Sequence, residues 1–136
     1  MQRAPIRPDR IRRIERGFAA IPNRFLLDGF FAALRDTERS LYFFLVLAGD
    51  RNGVSFYGYD RICSTLEITP DEYVAVRNVL IDMDLIAFDG TRFQVLSLPP
   101  HPMRRRPPKP LTSADDFEDE DPATIRRLIR ASLDER

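Results

Sequence analysis

His101 and Cys63 occur once each and are the side chains best suited to proton relay or nucleophilic attack near neutral pH. His101 sits in the run Pro-Pro-His-Pro with no acidic neighbour to orient its imidazole, so a catalytic triad is not expected. Cys63 has no histidine to hold its thiolate, and its place in an apolar helical pattern assigns it to packing as a small apolar residue. No Cys or His cluster has zinc spacing, and no glycine-rich loop precedes a helix as a phosphate cradle would. The acids between Asp115 and Asp121 lack the central Gly and the final Glu of a calcium loop and read as a solvated acidic tail. The expectation is a protein that is not an enzyme, with no cofactor and no metal.

What chemistry remains is that of arginine with phosphate. The net charge is +0, but it is a cancellation between blocks. Residues 1–16 carry +4, residues 17–98 carry −4, residues 99–110 carry +4, residues 111–121 carry −6 and residues 122–136 carry +2. The basic blocks therefore flank an acidic centre. Arg3, Arg7, Arg10, Arg12 and Arg13 on one side, and Arg104, Arg105, Arg106 and Lys109 on the other, are the candidate DNA-binding arms, since each neutralised phosphate releases condensed counterions. Solvated tails without function are the plain alternative.

The elements that would position these groups follow from local pattern. At 136 residues the chain suits one domain with flexible ends. Pro5 and Pro8 keep the start extended, and Asp9 is placed to cap a short helix bearing Ile11, Ile14 and Phe18, so the basic arm of residues 1–17 is able to be helical. Phe25, Leu26, Leu27, Phe30, Phe31 and Leu34 predict one or two short helices wrapping the core, with Asn23 as cap and Asp28-Gly29 as a break. Thr37 is expected to cap a helix through Ala48 that is apolar nearly all round and hence buried. Asp50-Arg51-Asn52-Gly53 predicts a tight turn, and Val54-Ser55-Phe56 a short strand pairing beside a later hairpin. Gly58 can cap a helix from Tyr59 with Ile62, Cys63 and Leu66 inward.

Thr69-Pro70-Asp71-Glu72 is the strongest local signal: a Thr N-cap, Pro at the first helical position, and Glu closing a capping box. Tyr73, Val76, Leu80 and Met83 then mark the buried face of that helix. Leu85 to Phe88 and Phe93 to Leu96 predict two strands joined by Asp89-Gly90-Thr91-Arg92, whose Asp-Gly favours a tight primed turn. Residues 99–121 read as a Pro/Arg-rich, then acidic, disordered linker, and residues 122–136 as an amphipathic helix with Ile125, Leu128, Ile129 and Leu133 along one face. Such a helix is marginal alone and should dock on the core or on a partner.

Two helices, a tight turn and a hairpin directly after them have the pattern of a winged helix-turn-helix over residues 18–98, so the fold class expected is mainly α with a small β-hairpin wing (α+β). Ile21-Pro22-Asn23 with Phe25-Leu26-Leu27-Asp28 resembles the start of the helix-turn-helix domain of bacterial replication initiators, phage replication proteins and DnaD-like proteins. Glu38-Arg39-Ser40-Leu41-Tyr42, Asp50 through Phe56, Tyr59-Asp60-Arg61-Ile62-Cys63 and Arg77 through Asp82 ending in Asp84-Leu85-Ile86 look like successive elements of the same pattern, so the resemblance covers roughly residues 20–98. It implies binding of double-stranded DNA through the helix from Thr69 and the wing, and it implies no catalytic residues.

On that helix Val74, Ala75, Arg77 and Asn78 are the outward candidates: Asn78 suits adenine, Arg77 guanine or phosphate, and Ala75 or Val74 a thymine methyl. The alternatives are a salt bridge from Arg77 to Glu72 or Asp82 and an ordinary solvated Asn78. Arg61 on the preceding helix, with Gly90, Thr91 and Arg92 at the wing, are candidate phosphate contacts. One departure stands out, because the helix opens with Asp71-Glu72, which phosphates would repel.

The function expected is therefore a bacterial or mobile-element DNA-binding accessory factor of replication, recombination or transcription, with most affinity in the arms. The alternative is a protein-protein interaction module, an adaptor or a homodimer joined through Ile125, Leu128, Ile129 and Leu133. A third is an acidic tail that masks the arginine arms. The lone cysteine and the absence of a long apolar run predict a cytoplasmic protein without a membrane partner.

Overall fold

A computed structural model describes residues 3–103. Among them it contains five α-helices and one antiparallel sheet: α1 (Arg24–Leu27), α2 (Phe30–Ala33), α3 (Asp36–Ala48), β1 (Val54–Ser55), α4 (Tyr59–Leu66), α5 (Pro70–Asp82), β2 (Ile86–Phe88) and β3 (Phe93–Val95). The strands lie in the order β1-β3-β2. Register pairs Val54 with Gln94 and Ser55 with Phe93 on one side of β3, and Ile86 with Val95 and Phe88 with Phe93 on the other. The class is α+β.

Local chemistry explains most of the boundaries. The Thr69 hydroxyl accepts from the Glu72 N–H at 3.1 Å while Glu72 Oε1 accepts from the Thr69 N–H at 2.8 Å, so the expected capping box starts α5. α4 ends where Glu67 takes φ 59°, a left-handed conformation, and the Ile68 N–H returns to the Cys63 carbonyl at 3.1 Å. Gly53 is required where β1 meets β3: its φ is 82°, and a Cβ there would lie 2.8 Å from the Val95 carbonyl oxygen.

Apolar faces then converge on one core. Leu41, Tyr42 and Leu45 of α3 bury against Ile62 of α4, Tyr73, Val76 and Leu80 of α5, and Leu85, Ile86 and Phe93 at the sheet. Each fully buried Leu or Ile contributes about 1.5–3 kcal/mol from apolar surface removed from water. Phe25 joins the short helices to this core, stacking on Tyr42 with ring centroids 4.8 Å apart. Phe88 and Phe93 stack across the hairpin at 4.2 Å.

Several expectations are corrected. The helix from Asp9 does not form; the arm has only a short 3-10 turn at Pro8–Arg10. Asp9 instead pairs with Arg7, and Ile11, Ile14 and Phe18 are exposed, so nothing packs on the helix that a short segment needs. α3 begins one residue before Thr37, with Arg35 as N-cap and the Arg35 N–H donating to Glu38 Oε1 at 2.8 Å. It is not buried all round, because Leu47 in its last turn is exposed while Leu45 is buried. Phe56 lies outside β1 and is exposed. The hairpin turn between the paired Phe88 and Phe93 keeps its expected place: the Asp89 N–H donates to the Arg92 carbonyl at 3.2 Å, leaving Gly90 and Thr91 at the tip with Gly90 at φ 98°. Finally, the chain beyond Leu98 is not free at once. Arg24 Nη2 donates to the Pro99 and Pro100 carbonyls at 2.8 and 2.9 Å, holding these residues on α1. The remainder of the expected linker and the helix at 122–136 lie outside the described residues.

Candidate nucleic-acid interface

α5 does not present the base-reading face expected of it. Val74 is buried and Arg77 is only 1% exposed, so neither can touch a base edge, and both assignments are corrected. The cause is helical geometry: Arg77 lies four residues after Tyr73 and three before Leu80, on the face that packs inward. Its guanidinium carbon stands 5.4 Å from the Tyr73 ring centroid and 5.6 Å from that of Phe88, aromatic neighbours that suit a planar, weakly hydrated cation. Arg77 Nε and Nη2 both donate to Asn78 Oδ1, at 3.1 and 2.9 Å. Asn78 is half-buried, and its oxygen is engaged by that fork. Ala75 alone of the four is exposed. Around it the exposed residues of α5 include Asp71, Glu72 and Asp82, a surface of the wrong sign for phosphate.

The turn between β2 and β3 carries Arg92 and neutralises it locally. Arg92 Nη2 lies 3.0 Å from Asp89 Oδ2, and Asp89 Oδ1 accepts from the Thr91 and Arg92 N–H groups at 2.9 and 2.7 Å. Partial burial pushes the Asp89 carboxyl up, but the bonds from the Arg92 and Thr91 N–H groups and the Arg92 guanidinium outweigh it and hold it below the ordinary carboxylate value. Gly90 supplies the positive φ of the loop. Any phosphate at Arg92 would compete with Asp89.

Arg61 keeps its charge exposed on α4, its guanidinium 5.6 Å from the Tyr57 ring centroid. It borders an open cleft of about 680 Å³ lined also by Asp50, Ser55, Phe56, Tyr57 and Asp60. Asp50 and Asp60 make this cleft electrically mixed. The Asp50 carboxylate is held below its usual range by the Val54 and Asn52 N–H groups, so it stays ionised there. Ser55 Oγ is buried and makes no hydrogen bond among the described residues.

The arm carries the more usable cations. Arg3, Arg10, Arg12 and Arg13 are exposed and make no ion pair among the described residues. Arg7 is exposed too, but forks onto Asp9 through Nε and Nη2 at 3.1 and 2.8 Å. Arg104, Arg105, Arg106 and Lys109, and the apolar stripe Ile125, Leu128, Ile129 and Leu133, lie outside the described residues.

Two features went unread in the sequence. Arg24 grips backbone that follows it by 74 to 76 residues, which leaves no local signal. Leu26 and Leu27, expected in the core, are 66% and 76% exposed, because a four-residue helix that buries Phe25 must turn its next residues outward. With Ile21, Pro22, Phe25 and Phe43 they line a groove of about 420 Å³.

Among the described residues no helix is long and apolar enough to cross a membrane, and no group of three or more His, Cys, Asp or Glu is placed to hold a metal ion. Cys63 is half-buried, its thiol pushed up by burial and then by the charges of Asp60 and Glu72, which suits packing rather than reactivity. No family model, curated protein or solved structure matches the chain.

Proposed function

We propose that this chain is a winged helix-turn-helix protein that binds double-stranded DNA mainly through its arginine arms, acting as a cytoplasmic accessory factor in replication, recombination or transcription. The order α3-β1-α4-α5-β2-β3 with strands β1-β3-β2 has the connectivity of a helix-turn-helix followed by a wing, which supports the fold part of this reading. The observation that carries the function is the arm itself, an exposed segment whose Arg3, Arg10, Arg12 and Arg13 make no ion pair among the described residues. α5 contributes orientation and little base reading, since Arg77 is buried. Fluorescence anisotropy with a labelled duplex at low salt tests the proposal: tight binding that collapses as salt rises supports it. Absence of binding at low salt, or binding unchanged when the four arm arginines become serine, sinks it.

A second reading has its own observation. The acidic exposed side of α5 suits a basic protein surface better than a phosphate backbone, so the chain would then be an interaction module of a replication or transposition complex. Reversing Asp71 alone to lysine, which leaves the Thr69 and Glu72 capping box in place, separates the two: DNA affinity rises if α5 is oriented on DNA and does not change under the second reading.

A further inference from the structure

We infer that the α1 groove is the docking site of this chain's own C-terminal segment, residues 122–136. The groove is apolar and open: Leu26 and Leu27 stand exposed at its rim, with Phe25 and Phe43 at its floor and Ile21 and Pro22 at its edge. Two large apolar side chains exposed side by side over a buried aromatic floor give a surface that the apolar face of a helix can cover. The occupant is indicated by where the chain leaves the body. Arg24, on α1 itself, holds the carbonyls of Leu98, Pro99 and Pro100, and the Pro102 ring lies beside Gly29, between α1 and α2. The described chain therefore ends, after Pro102, beside the helix that forms the groove.

Reach and concentration both favour the tether. Residues 104–121 separate the held exit from the segment. Fully extended they span about 60 Å, and as a flexible coil about 23 Å, against a radius of gyration of about 13 Å for a body of this size. The groove is within reach of the tether, and a segment on the same chain meets it at a concentration that dilution does not lower, unlike a second copy. The segment offers a matching face. Ile125, Leu128 and Ile129 recur at helical spacing, with Leu133 one turn on, as anchors for an apolar groove do, and a helix this short needs such a surface to persist. Ile21 at the groove edge follows the arginine arm by five residues in the sequence. The docking itself is independent of what the arm binds.

The test places a photocrosslinking benzoylphenylalanine at position 27 of the full chain, where an exposed side chain tolerates it, and maps products by mass spectrometry on a mixture of isotope-labelled and unlabelled protein. The expected result is crosslinking to residues 122–136 within one chain, falling at least tenfold in a chain carrying Leu128→Glu and Ile129→Glu. The same probe at exposed position 56 should not capture the segment. Labelled-to-unlabelled products would identify a second copy as the occupant and overturn the inference. So would crosslinks to the arm, no crosslink to the chain at all, or equal capture from positions 27 and 56.

Discussion

Arg77 and Asn78, neighbours on α5, are bonded to each other through two guanidinium N–H groups and one carboxamide oxygen, at 3.1 and 2.9 Å. The pair expected to read bases therefore serves the inside of the protein. Removing the Asn78 oxygen leaves two donors of a buried cation without this acceptor, which costs about 1–3 kcal/mol. Asn78→Ala should lower the urea midpoint accordingly. Arg77→Ala should cost more, about 3–5 kcal/mol, since it also empties the space between Tyr73 and Phe88. If both variants left stability unchanged and weakened only DNA binding, the burial assigned to Arg77 would be wrong.

The α5 capping box offers a cleaner measurement. Thr69→Ala removes the acceptor of the Glu72 N–H and should destabilise by about 1 kcal/mol, whereas Thr69→Ser keeps it and should cost less than half of that. Chemical denaturation of the three proteins gives the order directly, and equal midpoints for the Ala and Ser variants would count against the cap.

These two sites show what was legible. Thr69-Pro70-Asp71-Glu72 could be read because capping chemistry is local: the donor and acceptor lie three residues apart. The β2–β3 hairpin and the pairing of β1 beside it were also readable, since turn residues and short β-rich runs announce themselves within a few positions. Arg77 was misread because a polar residue at the border of a helical face can turn either way, and its choice depends on Phe88, supplied by a different element. Leu26 and Leu27 were misread for the opposite reason. Apolar type implies burial only when a partner surface exists, and a helix as short as α1 cannot bury every side. The arm helix failed on the same ground.

Gly53 is a strict requirement of the sheet. Alanine there adds a Cβ 2.8 Å from the Val95 carbonyl oxygen at a φ of 82°, so Gly53→Ala should destabilise by about 1–3 kcal/mol, and it should do so by loosening β1 from β3. Hydrogen exchange at the Val95 N–H, which bonds to the Gly53 carbonyl at 2.9 Å, reports that loss. Protection equal to the parent protein would show that the strand absorbs the methyl group.

The β2–β3 turn has a pH signature. The Asp89 carboxyl is held below its ordinary value in the folded state, so it binds protons less readily there than in the unfolded chain. Its contribution to stability is fully present above the unfolded carboxylate value of about 3.9 and is lost as pH falls through the lower folded value. A carboxyl-detected NMR titration should place the Asp89 transition below 3.9, and Asp89→Asn should remove the matching part of the acid-side fall in stability. A transition at or above the ordinary value would mean that partial burial outweighs the Thr91 and Arg92 donors.

The salt dependence of DNA binding separates the arm from the folded body quantitatively. Each duplex phosphate neutralised contributes about 0.9 to the slope of log affinity against log salt. Replacing Arg3, Arg10, Arg12 and Arg13 with serine should therefore flatten the slope by up to about 3.6 if each meets a phosphate. Arg61→Ser should flatten it by no more than about 0.9, because one exposed cation is lost beside Asp50 and Asp60. Ala75→Arg is the decisive comparison, since it puts a cation on the one exposed position among the base-reading candidates of α5. If α5 lies against DNA, that substitution steepens the slope; if only the arm does, the slope stays where it was. A steeper slope combined with an insensitive arm would transfer the interface to α5 and end the assignment of the affinity to residues 3–16.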